Sequence, residues 1–128
     1  MTCTSLRNWT LAAAAVTSLA SGAALAHHGW NWAEAGQTEI AGAIQDIYIG
    51  PPHPRLRVQT SDGVWTVELG NPSQTERAGF RPGVTKEGAK VQVLGQRSLD
   101  ASEKRIKAIR VTIDGRNFDF YPERLKPR

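Results

Sequence analysis

RLRVQTSDGVWTVELGNP, residues 55–72, carries the pattern from which the fold is read. Leu56, Val58 and Thr60 alternate with Arg55, Arg57 and Gln59, the two-residue period of a strand with one buried face. Ser61-Asp62-Gly63 is a hairpin turn signal, and Trp65, Val67 and Leu69 form the apolar face of the returning strand. Asn71-Pro72 then changes the period. Asn suits an N-cap, Pro the first helical position and Gly79 the exit, so the spacing predicts a helix of about two turns.

Working upstream, Ile40, Gly42 and Ile44 share one face, and Ile47 and Ile49 take the opposite parity. A change of parity inside one strand predicts a bulge near Gln45-Asp46. Gly50-Pro51-Pro52-His53-Pro54 cannot continue a ladder and reads as a rigid loop. Downstream, Arg81-Pro82-Gly83 is a loop, Lys90–Arg97 a short strand and Arg105–Ile113 a long one. Asp114-Gly115 turns into a short segment holding Phe118 and Phe120. The order strand, strand, strand, short helix, strand, strand is that of an all-β, OB-like five-stranded barrel with its helix between strands three and four. A small β-sandwich or an SH3-like barrel fits the same spacing. The barrel domain is assigned to residues 38–121, behind an N-terminal arm at 27–37. A Pro- and charge-rich tail at 122–128 is expected to fray.

Residues 1–26 read as an address. Arg7, the one charge there, precedes an apolar run from Leu11 to Ala26 that ends in Ala24-Leu25-Ala26. A charged start, a short apolar middle and an A-x-A end are the parts of a secretory signal peptide. The competing reading, an uncleaved membrane anchor, suits an Ala-, Ser- and Thr-rich run of this length less well. Cleavage removes Cys3 and Met1, the only cysteine and methionine, so the mature chain holds no sulfur. Disulfides, thiolate zinc sites and methionine-based copper(I) chemistry are thereby excluded. With 128 residues and a net charge of +4, the chain is one small basic domain, neither a multidomain enzyme nor a polytopic membrane protein. Export to a periplasm weakens a nucleic-acid reading of that charge.

All three histidines, His27, His28 and His53, lie beyond the predicted cut. Cleavage after Ala26 makes His27 the first residue, whose α-amine and ring Nδ1 chelate one ion. A further imidazole from His28 or His53 completes a three-nitrogen set suited to copper(II). Cleavage after Ala24 instead puts His27 third, the amino-terminal copper/nickel motif. The plainer reading is two exposed histidines on a mobile arm and a third filling a loop. Trp65 is expected in the core. Trp30 and Trp32 are expected to clamp the arm onto the barrel, or else, with Glu68, to line a ligand surface. The Lys104-Arg105-Lys107-Arg110 cluster and the Arg55/Arg57 pair read as solvated strand faces, with an anionic envelope partner as the functional alternative. No nucleophile elbow, catalytic cysteine or H-E-x-x-H occurs, so an enzyme is not expected.

Several of these pieces occur together elsewhere. Ala26-His27-His28, Ile40–Ile47 with Gly42, Pro52-His53, Trp65-Thr66-Val67-Glu68-Leu69, Arg77-Ala78-Gly79-Phe80, Val91-Gln92-Val93-Leu94-Gly95 and Asp114-Gly115-Arg116 jointly resemble a family of small exported bacterial proteins of unknown function. The resemblance implies an exported OB-like barrel in which His28, His53 and Glu68 are pattern positions. It implies no activity. Gly29-Trp30 departs from the commoner His-His-Ser-Phe form of that family's arm. The expectation is a periplasmic, non-enzymatic binding protein taking copper(II). The alternative is a metal-free module for a small ligand, peptide or envelope partner.

Overall fold

β1 (Thr38–Tyr48) serves two neighbours on opposite edges, and its bend organises the sheet. The computed structural model describes residues 29–126, so the signal peptide expected at 1–26, His27 and His28 lie outside the described residues. The first half of β1 pairs antiparallel with β4 (Lys90–Arg97), from Thr38↔Gly95 to Ala43↔Lys90. Its second half pairs antiparallel with β2 (Arg55–Thr60), ending at Tyr48↔Arg55. Between Ile44 and Asp46 the register shifts, leaving Gln45 as the extra residue. This is the bulge that the parity change predicts. It lets Ile44 and Ile47 both face the interior while the strand coils.

β2 returns through the Ser61-Asp62 turn as β3 (Gly63–Glu68), placing Val58 opposite Trp65 and Leu56 opposite Val67. All four are buried, Trp65 at 3% exposure. The helix α1 (Pro72–Arg77) follows as the capping signal predicts. The Asn71 side chain accepts from the Gln74 amide at 2.8 Å, and the Gln74 side chain accepts from the Asn71 amide at 3.1 Å. Its buried Thr75 donates to the Gly70 carbonyl at 2.9 Å. The chain then drops Phe80 into the core, edge-on to Phe118 with ring centroids 5.2 Å apart.

β5 (Arg105–Ile113) closes the barrel. One edge pairs antiparallel with β4. The other edge is divided. Arg105, Ile106 and Lys107 pair in parallel with Thr66, Val67 and Glu68 of β3. Arg110–Ile113 pair with a sixth strand, β6 (Arg116–Asp119), after the Asp114-Gly115 turn. The circuit β1-β2-β3-β5-β4 is thus a closed five-stranded barrel of the OB type, with β6 appended to β5. The tail departs from expectation. Pro122–Arg124 form a single 3-10 turn and Leu125 packs against the core, so the chain is held at least that far. Among the described residues, no helix is long and apolar enough to cross a membrane.

Two strand approaches require glycine. A Cβ at Gly42 would lie 2.0 Å from the Gln59 carbonyl oxygen, and one at Gly95 would lie 2.2 Å from that of Lys107. Both obstacles are backbone, so they cannot swing aside. Gly42→Ala should destabilise the protein by about 1–3 kcal/mol through forced separation of β1 and β2, whereas Asn71→Ala should cost about 1 kcal/mol through loss of the cap. Chemical denaturation measures both, and an unchanged midpoint for Gly42→Ala would rule out this close crossing.

Candidate functional site

The parallel seam between β3 and β5 has only three residue pairs, and its outward positions are Arg105 and Lys107 on one side and Glu68 on the other. Glu68 accepts from Arg105 Nε at 2.9 Å and also from Nη2, an ion pair across the seam. The same guanidinium lies 3.7 Å from the ring centroid of Trp32. One step along β5, Lys107 is only 7% exposed. Its ammonium lies 5.5 Å from the Trp30 ring centroid and 5.6 Å from that of Tyr121. Trp30 meets Tyr121 edge-on at 4.8 Å and carries the Arg124 guanidinium 3.8 Å from its centroid. Two tryptophans, a tyrosine and three cations therefore interleave over the seam.

Backbone and amide bonds hold the arm in the same place. Glu34 N donates to the Arg97 carbonyl, and Leu99 N to the Trp32 carbonyl, both at 2.8 Å. Gln96 Nε2 donates to the Ala35 carbonyl at 3.1 Å, and Gln37 Nε2 to the Arg124 carbonyl at 2.7 Å. Residues 30–37 are thus a strap docked on the barrel, with Trp32 at Arg105 and Trp30 at Lys107.

Burial pushes the Lys107 amine below its ordinary range; Glu68 opposes the shift, while Arg105 and Arg124 add to it. Burial likewise raises the Tyr121 phenol. On the far side of β5, Arg110 makes a two-point ion pair with Asp119 that raises its own pKa. The expectation that Lys104-Arg105-Lys107-Arg110 is a solvated face is therefore corrected. Lys104 is exposed as expected, but Lys107 is buried under the strap, Arg105 and Arg110 are half-covered by strap and ion pairs, and the register shift beside Leu94 and Gly95 changes the parity of β5 between residues 107 and 110. A two-residue period reports the face of a strand and not what lies over it.

His53 is exposed between Pro52 and the buried Pro54, whose carbonyl accepts from Leu69 N at 3.0 Å. The loop is tied further by the Tyr48 hydroxyl, which donates to the Pro51 carbonyl, and the Arg55 guanidinium lies 4.8 Å from the Tyr48 ring centroid. Glu68, Trp30 and Trp32 come together at the seam, the carboxylate engaged by Arg105 and both rings by cations. Tyr121 and Arg124, which complete this cluster with Lys107, are absent as site residues from the sequence reading, which has Lys107 only on a solvated face. Among the described residues, no three His, Cys, Asp or Glu side chains gather as a metal-holding group. His27 and His28 stand outside that description.

These features define a small closed β-barrel of the OB type with a docked N-terminal strap. Residues 14–107 match a family of unknown function, DUF6152, and the chain belongs to that family. No curated protein matches it. Solved structures with some likeness include TiaS, a tRNA agmatidine synthetase. The apo form shares 19% identity at a TM-score of 0.47, covering 60% of this chain and 18% of that one. A TiaS complex with tRNA, AMPCPP and agmatine shares 18% at 0.48, with the same coverage. A ZRD-deleted TiaS mutant bound to agmatine shares 19% at 0.47 and is 21% covered. The chain thus spans about a fifth of the TiaS chains it matches.

The depressed Lys107 pKa sets a pH dependence. In the window beneath the ordinary lysine value of 10.5, the unfolded chain holds this proton more firmly than the folded one. The group's penalty on folding is full below the lowered pKa and lifts as the pH rises through that window. Wild type should therefore gain stability relative to Lys107→Met between neutral pH and 10.5. Denaturation midpoints measured across that range check this, and parallel curves for the two proteins would refute it.

Proposed function

We propose that the mature protein is an exported, non-enzymatic binding module that captures copper(II) with its histidine-rich terminus and His53. The placement of His53 supports this reading: it is exposed on a loop tied by the Tyr48 hydroxyl at the Pro51 carbonyl and by Leu69 N at the Pro54 carbonyl, at the barrel end beyond the Arg55–Glu68 pair. Followed backwards, the strap runs from Gln37 at Arg124 to Ala33 opposite Ser98, and the bond from Ala33 N to the Trp30 carbonyl then turns it, so that Trp30 comes back over Lys107, level with Glu68.

The chemistry follows from the donors. A liberated His27 offers an α-amine and an imidazole, and His28 and His53 offer two more rings. Nitrogen donors in a near-planar set favour copper(II) over the other common divalent ions. Without sulfur beyond the predicted cut, a soft site for copper(I) has no ligands. The cargo is held for buffering or handover. A second reading, a metal-free interaction module, draws on Arg55 and Arg57, exposed side by side on β2 and suited to an acidic envelope partner.

Titration of the exported protein with copper(II) should give a visible d–d band at one equivalent. His28→Ala or His53→Ala should weaken binding by at least about tenfold, a loss on the scale that supporting groups of a metal site command. Unchanged binding in both variants would leave only the generic terminus and discard the site. N-terminal sequencing of the exported chain checks the companion expectation that His27 is its first residue.

A further inference from the structure

We infer that the outer face of β4, flanked by β1, β5 and β6, is a groove for a neutral saccharide chain. It shares no residue with the copper reading, and neither depends on the other. Register lays the face out in rows. Glu39, Leu94, Arg110 and Asp119 lie side by side across the four strands, and Ala41, Gln92, Thr112 and Asn117 form the next row. Ala41 and Thr112 are short side chains on either side of Gln92, which keeps the surface low there. A hollow of about 330 Å³ is lined by Glu39, Gln92, Leu94, Arg110, Thr112 and Asn117. A second, of about 270 Å³, continues past Gln92 and Thr112 to Lys90 and Asp114. Lys90 to Leu94 is about 13 Å of strand, so the two hollows together take more than one sugar ring.

The groups in the groove select the ligand by exclusion and by match. Arg110 and Lys90 stand among Glu39, Asp114 and Asp119, so neither sign dominates and a polyanion finds no field to follow. Leu94 is the only apolar side chain that points into the first hollow, since Ile40 and Val93 pack inward. That is too little for a lipid or an aromatic ligand. What remains is a set of planar donors and acceptors. Arg110 engages both oxygens of Asp119 through Nε and Nη2, which leaves further N–H donors on the same guanidinium. Thr112 donates to Asn117 Oδ1 at 2.8 Å, which leaves the Asn117 amide nitrogen to donate elsewhere. Glu39 is exposed and has no ion pair among the described residues, and Gln92 is exposed in the next row. Neighbouring sugar hydroxyls, each both donor and acceptor, match such groups in pairs. A peptide matches them less well. Peptides add to a sheet at its edge through backbone groups, whereas the backbone beneath this groove is spent on the ladders that join β1, β4, β5 and β6.

An array displaying neutral oligosaccharides, sulfated and uronic-acid oligosaccharides, and neutral tripeptides, probed with the full protein, tests this. Neutral oligosaccharides should be retained, with affinity changed less than about twofold between about 0.05 and 0.5 M salt, because screening acts on charge. Gln92→Ala should weaken the best of them about three- to tenfold, the scale of one or two hydrogen bonds. Thr112→Tyr places a strand-favouring residue in both hollows and should abolish retention. Gln59→Ala, on β2, should change nothing, and denaturation midpoints verify that each variant is folded. Copper(II) titration of Thr112→Tyr should match wild type, so the two readings stand or fall separately. Retention of anionic glycans alone, lost at high salt, would assign the face to an acidic polymer and overturn the proposal. Retention of peptides alone, no retention of any neutral saccharide, or saccharide binding that survives in folded Thr112→Tyr would overturn it equally.

Discussion

Closure of the barrel rests on three parallel residue pairs between β3 and β5. Every other junction in the circuit is antiparallel and longer. Parallel pairing is slightly weaker per residue, so this short seam is where the cylinder is least secured by its own backbone. The surface chemistry is concentrated there. Glu68 and Arg105 form an ion pair across it, and the strap lays Trp32 and Trp30 on Arg105 and Lys107. A partly desolvated cation–aromatic contact contributes roughly 0.5–2 kcal/mol. Several together are comparable to a few backbone pairings. The strap is thus part of the wall and not an appendage to it.

The local grammar of the chain made most of the strands legible. The start of β1, the bounds of β4 and β5, the bulge at Gln45, the Ser61-Asp62 turn and the Asn71-Pro72 start of α1 all depend on neighbours a few residues away. Periodicity and capping report such neighbours directly. The seam depends on pairing Thr66 with Arg105, which no local pattern encodes. Lys107 shows the same limit at a single residue. Counted from Ile109, Val111 and Ile113 its parity points to the core, the register shift beside Leu94 and Gly95 turns it outward, and its burial comes from Trp30 and Tyr121, distant on both sides in sequence. The 3-10 turn at Pro122 was hidden for a related reason, since a charged, Pro-rich tail resembles a fraying one until Gln37 and Trp30 reach it.

The candidate site was legible in part. His53 could be placed in a stiff exposed loop from its prolines, and Trp30 and Trp32 could be read as clamps from their size. What the residues alone could not supply was the direction of the arm, because direction comes from contacts at both of its ends. Register supplies it: followed backwards, the arm runs from Gln37 at Arg124 to Ala33 opposite Ser98 and turns there, which brings Trp30 over Lys107. The proposed binding function is thus tied to how the barrel is sealed, since the strap that follows the histidines in sequence also covers the shortest junction.

The divided edge of β5 has a consequence for how the molecule breathes. One edge is shared between β3 and β6, while the other lies along β4 for most of its length. Release of the strap and seam frees Arg105–Lys107 on that side and leaves Arg110–Ile113 paired to β6. Release of β6 does the reverse. Neither local opening breaks the ladder between β4 and β5, so its amide protons are expected to exchange with solvent last, at the rate of global unfolding.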